Sequence, residues 1–340
     1  MNKTLDQIDE YGRKINYLRI SITDRCNLRC TYCMPPGGIS LLNHNDVLRY
    51  EEITRLAHLA YELGFIKFRI TGGEPLVRKG VPDLVENISG FGNNIDLSLT
   101  TNGILLSKYA KDLKSAGLQR INISLDTLDR EKFKRISRFD LFQDVIKGIR
   151  SSIEVGFNPI KINVVVVRSF NYDEVLDFVD MTKDQPLWVR FIELMPFSHS
   201  EFSLEDFVSA DEMKTKIEAH YKITEVNGFD QTQFETDHVT NSSTPARDYL
   251  VEGHKGQIGF IAPMSKKFCD HCNRIRLTAD GRLLPCLMSE IEIDIKTLMR
   301  EGASDDELKQ IIQSAMQKKP KEHKLCTDEK VGRAMSRVGG

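Results

Sequence analysis

Cys26-Asn-Leu-Arg-Cys30-Thr-Tyr-Cys33 gathers three cysteines into one short stretch. Three thiolates can hold a soft metal centre, but they leave a tetrahedral or cubane site one protein ligand short. An iron–sulfur cubane with one iron open to a small molecule satisfies that count, whereas structural zinc would normally recruit a fourth side chain. A zinc knuckle and a redox thiol pair are the other readings of this spacing. Cys269-Asp-His-Cys272, with Cys286 after thirteen intervening residues, repeats the arithmetic. Here His271 could complete a Cys₃His zinc site, so zinc and a second open cluster both stand. Arg274 and Arg276, two apart, would project to the same side of a strand beside this group. Guanidinium forks suit phosphate or carboxylate; two surface arginines are the alternative.

Gly72-Gly73-Glu74-Pro75 follows a strand-like run and would let a ligand approach bare backbone, with Glu74 presenting a carboxylate to an ammonium group. An ordinary strand-to-helix turn is the plainer reading. Arg19, Lys67, Arg69 and Lys161 occupy odd-numbered positions of strand-like segments. If those positions face inward, four cations line an interior, and a polyanionic ligand is the simplest explanation. Ion pairs with Glu74, Asp126 or Glu193 are the structural alternative. Cys326 reads as an isolated thiol, Trp188 as packing, and Gly339-Gly340 by default as a frayed end.

The elements that position these residues alternate. Strand patterns at Ile15–Ile22, Lys67–Thr71, Asp96–Thr100, Arg120–Leu125, Ile160–Val167 and Leu187–Leu194 are separated by helical ones at Tyr50–Leu63, Leu106–Ala116, Asp144–Val155 and Tyr172–Thr182. Six such strands imply a parallel sheet with helices outside it, either an incomplete barrel or an open doubly wound sheet. Both put loops at the carboxyl ends of the strands, where the first cysteines, Gly-Gly-Glu-Pro, Thr100-Thr101-Asn102-Gly103, Ser124-Leu125-Asp126 and Met195-Pro196 fall. After Pro196 the pattern predicts a helix over Glu201–Tyr221, a polar loop over Asn227–Tyr249, a short strand at Gln257–Ala262 and a helix at Asp305–Met316. A length of 340 residues accommodates a barrel-sized domain and a smaller module. The net charge of −2 gives no global argument for nucleic acid or membrane. No signal core or spanning run is visible, so a cytoplasmic protein with reduced cysteines is expected.

Cys26, Cys30 and Cys33, with Tyr32 before the last, resemble the signature of the radical S-adenosylmethionine superfamily. Gly72 to Pro75 resemble its loop for the methionine amino group. Cys269, Cys272, Cys286, the Asn273-Arg274-Ile275-Arg276 run and the terminal Gly339-Gly340 resemble, within it, the MoaA family of GTP 3',8-cyclases of molybdenum cofactor biosynthesis. The resemblance covers nearly the whole chain and is weakest from about Glu201 to Gly253; Ser169 stands where that family usually has glycine. It implies an incomplete (βα)6 TIM-type barrel over residues 1–200 and a C-terminal cluster-binding extension over 201–340 that closes it. It implies two 4Fe-4S clusters on the six cysteines and S-adenosylmethionine as cofactor. It further implies conversion of GTP to (8S)-3',8-cyclo-7,8-dihydroguanosine 5'-triphosphate through a 5'-deoxyadenosyl radical.

On that resemblance Tyr32, Gly73, Glu74, Ser124 and Met195 are expected at the cofactor. Arg19, Lys67, Arg69, Thr100, Lys161, Arg274 and Arg276 are expected at GTP, with Arg19, Arg274 and Arg276 acting in catalysis and the glycine tail entering the pocket. A flavodoxin- or ferredoxin-type electron donor, a downstream cyclic pyranopterin monophosphate synthase and a monomer or homodimer complete the expectation, with no nucleic acid polymer and no membrane. The rival readings are a peptide-modifying radical enzyme, which would usually carry more C-terminal cysteines, and a zinc-binding regulatory protein.

Overall fold

Runs of isoleucine, valine, leucine and phenylalanine at alternate positions build the scaffold, because a half-polar strand can bury only one face. The computed structural model describes residues 7–196, 200–226, 245–323 and 335–338. The six expected strands are β1 Tyr17–Ser21, β2 Lys67–Thr71, β3 Asp96–Thr101, β4 Arg120–Ser124, β5 Ile160–Val166 and β6 Leu187–Glu193. Between them run α1 Tyr50–Glu62, α2 Val81–Ser89, α3 Leu106–Ser115, α4 Arg130–Ser137, α5 Phe142–Glu154 and α6 Val175–Asp184. Sequence patterning overlooked α2 and α4. The first carries a proline in its opening turn, and the second is so charged that its buried apolar side chains are only Phe133 and Ile136.

The chain then forms α7 Ala210–Glu218, β7 Ile223–Glu225, β8 Ala246–Val251, β9 Gln257–Ile261, β10 Arg274–Leu277, β11 Arg282–Leu284, β12 Ile293–Asp294, α8 Lys296–Arg300, α9 Asp305–Gln317 and α10 Met335–Val338. The single helix expected over Glu201–Tyr221 is instead a short 3-10 turn at Leu204–Asp206 and then α7. Ser203 caps the turn and Ser209 caps the helix, so two starts replace one. The end of the polar loop expected over Asn227–Tyr249 is strand: Ala246–Tyr249 pairs with β9, and residues 227–244 lie outside the described residues.

The strand order is β12-β11-β10-β1-β2-β3-β4-β5-β6-β9-β8-β7. From β10 through β9 all neighbours are parallel, so two C-terminal strands extend the six-stranded sheet on both sides. A flat sheet would hold β2 and β6 roughly 19 Å apart. Burial first, and among the cations Arg120 and then Arg190 on β6, lower the Arg69 guanidinium on β2, which accords with a curled sheet.

The curl gives two unlike faces. Leu18, Ile20, Phe68, Ile70, Leu97, Leu99, Ile121 and Ile123 point outward and are buried beneath the helices, with Ile53, Leu56, Ala57 and Ala60 of α1 among their partners. Each such aliphatic side chain contributes about 1.5–3 kcal/mol by leaving water. The inward face is polar: register sets Arg276, Arg19, Arg69, Ser98 and Arg120 side by side across β10, β1, β2, β3 and β4.

Candidate active site

Parallel strands end on one rim, so the segments after β1, β2, β3, β4 and β6 converge there as expected. Cys26, Cys30 and Cys33 are half-buried thiols in the loop after β1. That loop is strapped to α4: Arg29 N donates to Ser137 O at 3.1 Å, Thr31 N to Ile136 O at 2.9 Å, and Arg138 Nη1 to Met34 O at 3.0 Å. Leu28 N donates to the Cys26 sulfur at 3.4 Å, and Asn102 Nδ2 approaches it at 3.9 Å from the turn after β3. Burial pushes the Cys26 thiol up to about 11 and the Cys30 thiol well above its usual value. Thiols in such surroundings become thiolates when a metal centre takes their protons' place.

Gly72 and Gly73 make room for this chain: a Cβ on Gly73 would stand 2.4 Å from the Arg25 carbonyl oxygen, and one on Gly72 2.7 Å from that of Thr23. The Gly73 amide donates to Thr23 O at 2.7 Å and the Glu74 amide to Arg25 O at 2.8 Å, so the turn carries the cysteine loop. Glu74 is fully buried rather than presented at the rim. Its carboxylate accepts from Leu76 N at 3.0 Å, Thr101 Oγ1 at 2.8 Å and Asn102 N at 2.6 Å. Burial raises it to about 7, against those hydrogen bonds. Glu74 therefore braces two rim loops together.

Tyr32 donates to Asp126 Oδ2 at 2.7 Å, and Asp126 Oδ1 accepts from Val165 N at 2.9 Å, with burial lifting that carboxyl to about 6. Ser124 and Met195, both half-buried, stand at the ends of β4 and β6 on the same rim.

The second triplet lies at the other end of the strands. Cys272 precedes β10, which runs parallel to β1, and Cys286 follows β11, which runs antiparallel to β10. Its level is that of Ile15, so roughly 20 Å of strand separates the two groups. His271 is exposed. Among the described residues no three His, Cys, Asp or Glu side chains converge as closely as one metal ion requires. Burial would raise the Cys272 thiol, but Arg274 and Lys319 bring it down to about 6.

Between the triplets the inward cations stand in rows: Arg274–Tyr17–Lys67–Asp96, then Arg276–Arg19–Arg69–Ser98–Arg120, then Thr100–Asn122–Lys161–Trp188. Arg19, Lys67, Arg69, Thr100, Lys161, Arg274 and Arg276 are thus brought to one channel wall. Sequence reading missed Arg120 and Arg190. The first pairs with Asp96, the second with Asp248 at 3.0 Å. The carboxylates weighed as partners for the cations are engaged elsewhere: Glu193, for example, accepts from Ala210 N, Met264 N and Ser265 N, each at 2.9 Å. Trp188 does more than pack, since the Lys161 ammonium lies 4.6 Å from its ring centroid.

The charges act on one another. Burial first, then Arg276, lowers Arg19 well below its ordinary value; burial and Arg190 do the same to Lys161; burial brings Lys67 to about 8 and Arg276 to about 10. The Thr100, Ser21 and Tyr17 hydroxyls are buried without a hydrogen-bond partner among the described residues. Orphaned hydroxyls beside repelling cations describe a site completed by an anionic, oxygen-rich ligand. Arg276 Nη1 also donates to Val338 O at 3.2 Å, which brings the end of α10 to the wall; Gly339, Gly340 and Cys326 lie outside the described residues.

Comparison with known proteins agrees with this geometry. The Radical SAM superfamily model matches residues 20–182, and the Molybdenum Cofactor Synthesis C model matches residues 187–325. GTP 3',8-cyclase of Moorella thermoacetica is 47% identical over 332 residues, covering 98% of this chain and 99% of that one. The same enzyme of Alkaliphilus metalliredigens is 45% identical over 335 residues, covering 98% and 99%. The solved structure of Streptococcus suis SuiB bound to S-adenosylmethionine superposes with a TM-score of 0.57 at 16% identity, over 86% of this chain and 65% of that one, and supports the fold. Identity of this order along nearly the full length, with two cysteine triplets facing each other across a cationic channel, means that the chain belongs to the GTP 3',8-cyclase family of radical S-adenosylmethionine enzymes.

Proposed function

We propose that this chain converts GTP to 3',8-cyclo-7,8-dihydroguanosine 5'-triphosphate in molybdenum cofactor biosynthesis, acting as a radical S-adenosylmethionine lyase. The observation that carries the reading is the wall of cations and orphaned hydroxyls lying between two cysteine triplets. When bound, the first cluster and S-adenosylmethionine supply the hydrogen-abstracting radical. The protein's own residues bind, orient and exclude water.

Arg19, Lys67, Arg69, Lys161, Arg274 and Arg276 hold the triphosphate, and Thr100 donates or accepts with the nucleotide. Arg120 and Arg190, already paired to carboxylates, set the field around them. Cys26, Cys30 and Cys33 hold the cluster that meets S-adenosylmethionine, with Tyr32, Gly73, Ser124 and Met195 around that cofactor and Glu74 fixing the loop beneath it. Cys269, Cys272 and Cys286 hold the second cluster at the far end, where the base of the nucleotide is placed. A low-potential flavodoxin- or ferredoxin-type donor supplies the electron, a cyclic pyranopterin monophosphate synthase takes the product, and the enzyme works in the cytoplasm as a monomer or homodimer. No described helix is long and apolar enough to cross a membrane.

Anaerobic incubation with GTP, S-adenosylmethionine and a reductant tests the reaction. The expected result is 5'-deoxyadenosine formed together with loss of GTP; 5'-deoxyadenosine without GTP loss would overturn the substrate assignment. Iron and acid-labile sulfide measured on the same preparation test the clusters, and zinc without sulfide would end the radical reading.

A further inference from the structure

One buried cation lies behind the second triplet rather than in the channel. Lys319, just past α9, is 2% exposed. Its Nζ donates to Arg274 O at 2.8 Å and to Pro285 O at 2.9 Å. Arg274 stands two residues beyond Cys272, and Pro285 immediately precedes Cys286. The remaining cysteine is tied to the same segment. Arg13, paired with Asp9 at 2.6 Å, donates to Cys269 O at 3.0 Å and also to the carbonyls of Lys319, Pro320 and Lys321 at 3.3, 2.9 and 3.1 Å. Every cysteine-bearing segment of the second triplet is therefore fastened to residues 319–321.

Two carbonyls only partly offset the desolvation of an ammonium, and an anionic cluster of thiolates in front of it would supply the rest. We propose that Lys319 is a positioning residue for the second iron–sulfur cluster, fixing the spacing of Cys272 and Cys286 from behind and offsetting the charge of the thiolates. The inference rests on the two-cluster reading above.

Full-length chains carrying Cys26→Ala, Cys30→Ala and Cys33→Ala isolate the second cluster. In that background Lys319→Met is expected to retain less than half of the parent's iron and sulfide, or to hold its cluster at a more negative reduction potential in a titration followed by electron paramagnetic resonance. Lys319→Arg, which keeps the charge, is expected to return both toward the parent. A Lys319→Met chain equal to its parent in iron and in potential would overturn the proposal. So would loss of iron from both triplets when Lys319→Met or Lys319→Arg is placed in the otherwise unsubstituted chain, because that marks a general folding defect. A parent that takes up zinc without sulfide would instead overturn the two-cluster reading itself.

Discussion

At the scale of single residues, the channel's cations are held in an environment that resists their charge, and that resistance is measurable. Lys67 titrates near 8 because burial, with Arg120 and Arg69 behind it, outweighs the help of Asp96. A bound polyanion reverses the balance by favouring the ammonium, so GTP binding takes up a proton at and above that pH. Affinity is expected to fall as pH rises through about 8, and Lys67→Met to flatten that slope while weakening binding about tenfold at pH 7, the scale of one charge-assisted hydrogen bond. Calorimetry in buffers of different ionisation enthalpy reads both effects; an unchanged slope in the variant would remove Lys67 from the phosphate site. Arg274→Ala should raise the GTP requirement at least tenfold with little change in the S-adenosylmethionine requirement, and equal changes in both would count against its assignment. Arg19, Lys67, Arg69 and Lys161 were legible because charged side chains at alternate strand positions are conspicuous. Arg120 and Arg190 were not, because the register pairs Arg69 with Ser98 and Ser98 with Arg120, and Lys161 with Trp188, which moves the inward faces of β3, β4 and β6 onto even-numbered positions. No single strand discloses that shift.

At the scale of elements, the rim is an interlocked set of turns. Gly73→Ala would drive a Cβ against the Arg25 carbonyl, a backbone atom with nowhere to go, while Gly37 in the neighbouring stretch has nothing within 4 Å. Overpacking of this kind costs about 1–3 kcal/mol, and relief would displace the loop that carries the first cysteines. The expected outcome is a Gly73→Ala chain that loses at least half of the iron at its first triplet yet keeps that at its second, beside a Gly37→Ala chain that keeps both. Loss from both sites, or from neither, would show that the turn does not carry the loop. The six strands of the first units and the helices α1, α3, α5 and α6 were readable from periodicity, because each buries one apolar face, whereas α2 and α4 were not. The part played by Glu74 was not: the sequence places it after a strand, but only the fold brings Thr101 and Asn102 to its carboxylate. For the same reason β9 could be recognised as a short strand, and Arg274 and Arg276 set on one face of another, without any sign that these strands flank β6 and β1.

At the scale of the whole molecule, the outer layer supplies the stability and the inner one works against it. Filling the channel with negative charge should therefore stabilise the chain. At a hundredfold excess over its dissociation constant a ligand adds about 2.7 kcal/mol. GTP and inorganic tripolyphosphate are expected to raise the melting temperature of the anaerobic enzyme, and guanosine to raise it much less; equal shifts by guanosine and tripolyphosphate would show that the wall does not act through charge. The strict alternation of that wall has a further consequence. Each strand is read in twos, like a two-letter frame, and inserting one residue within β2 would turn Phe68 toward the nucleotide and Arg69 toward the helices. Length can change only where the frame is not being read, beyond the strand ends, and both cysteine triplets lie there.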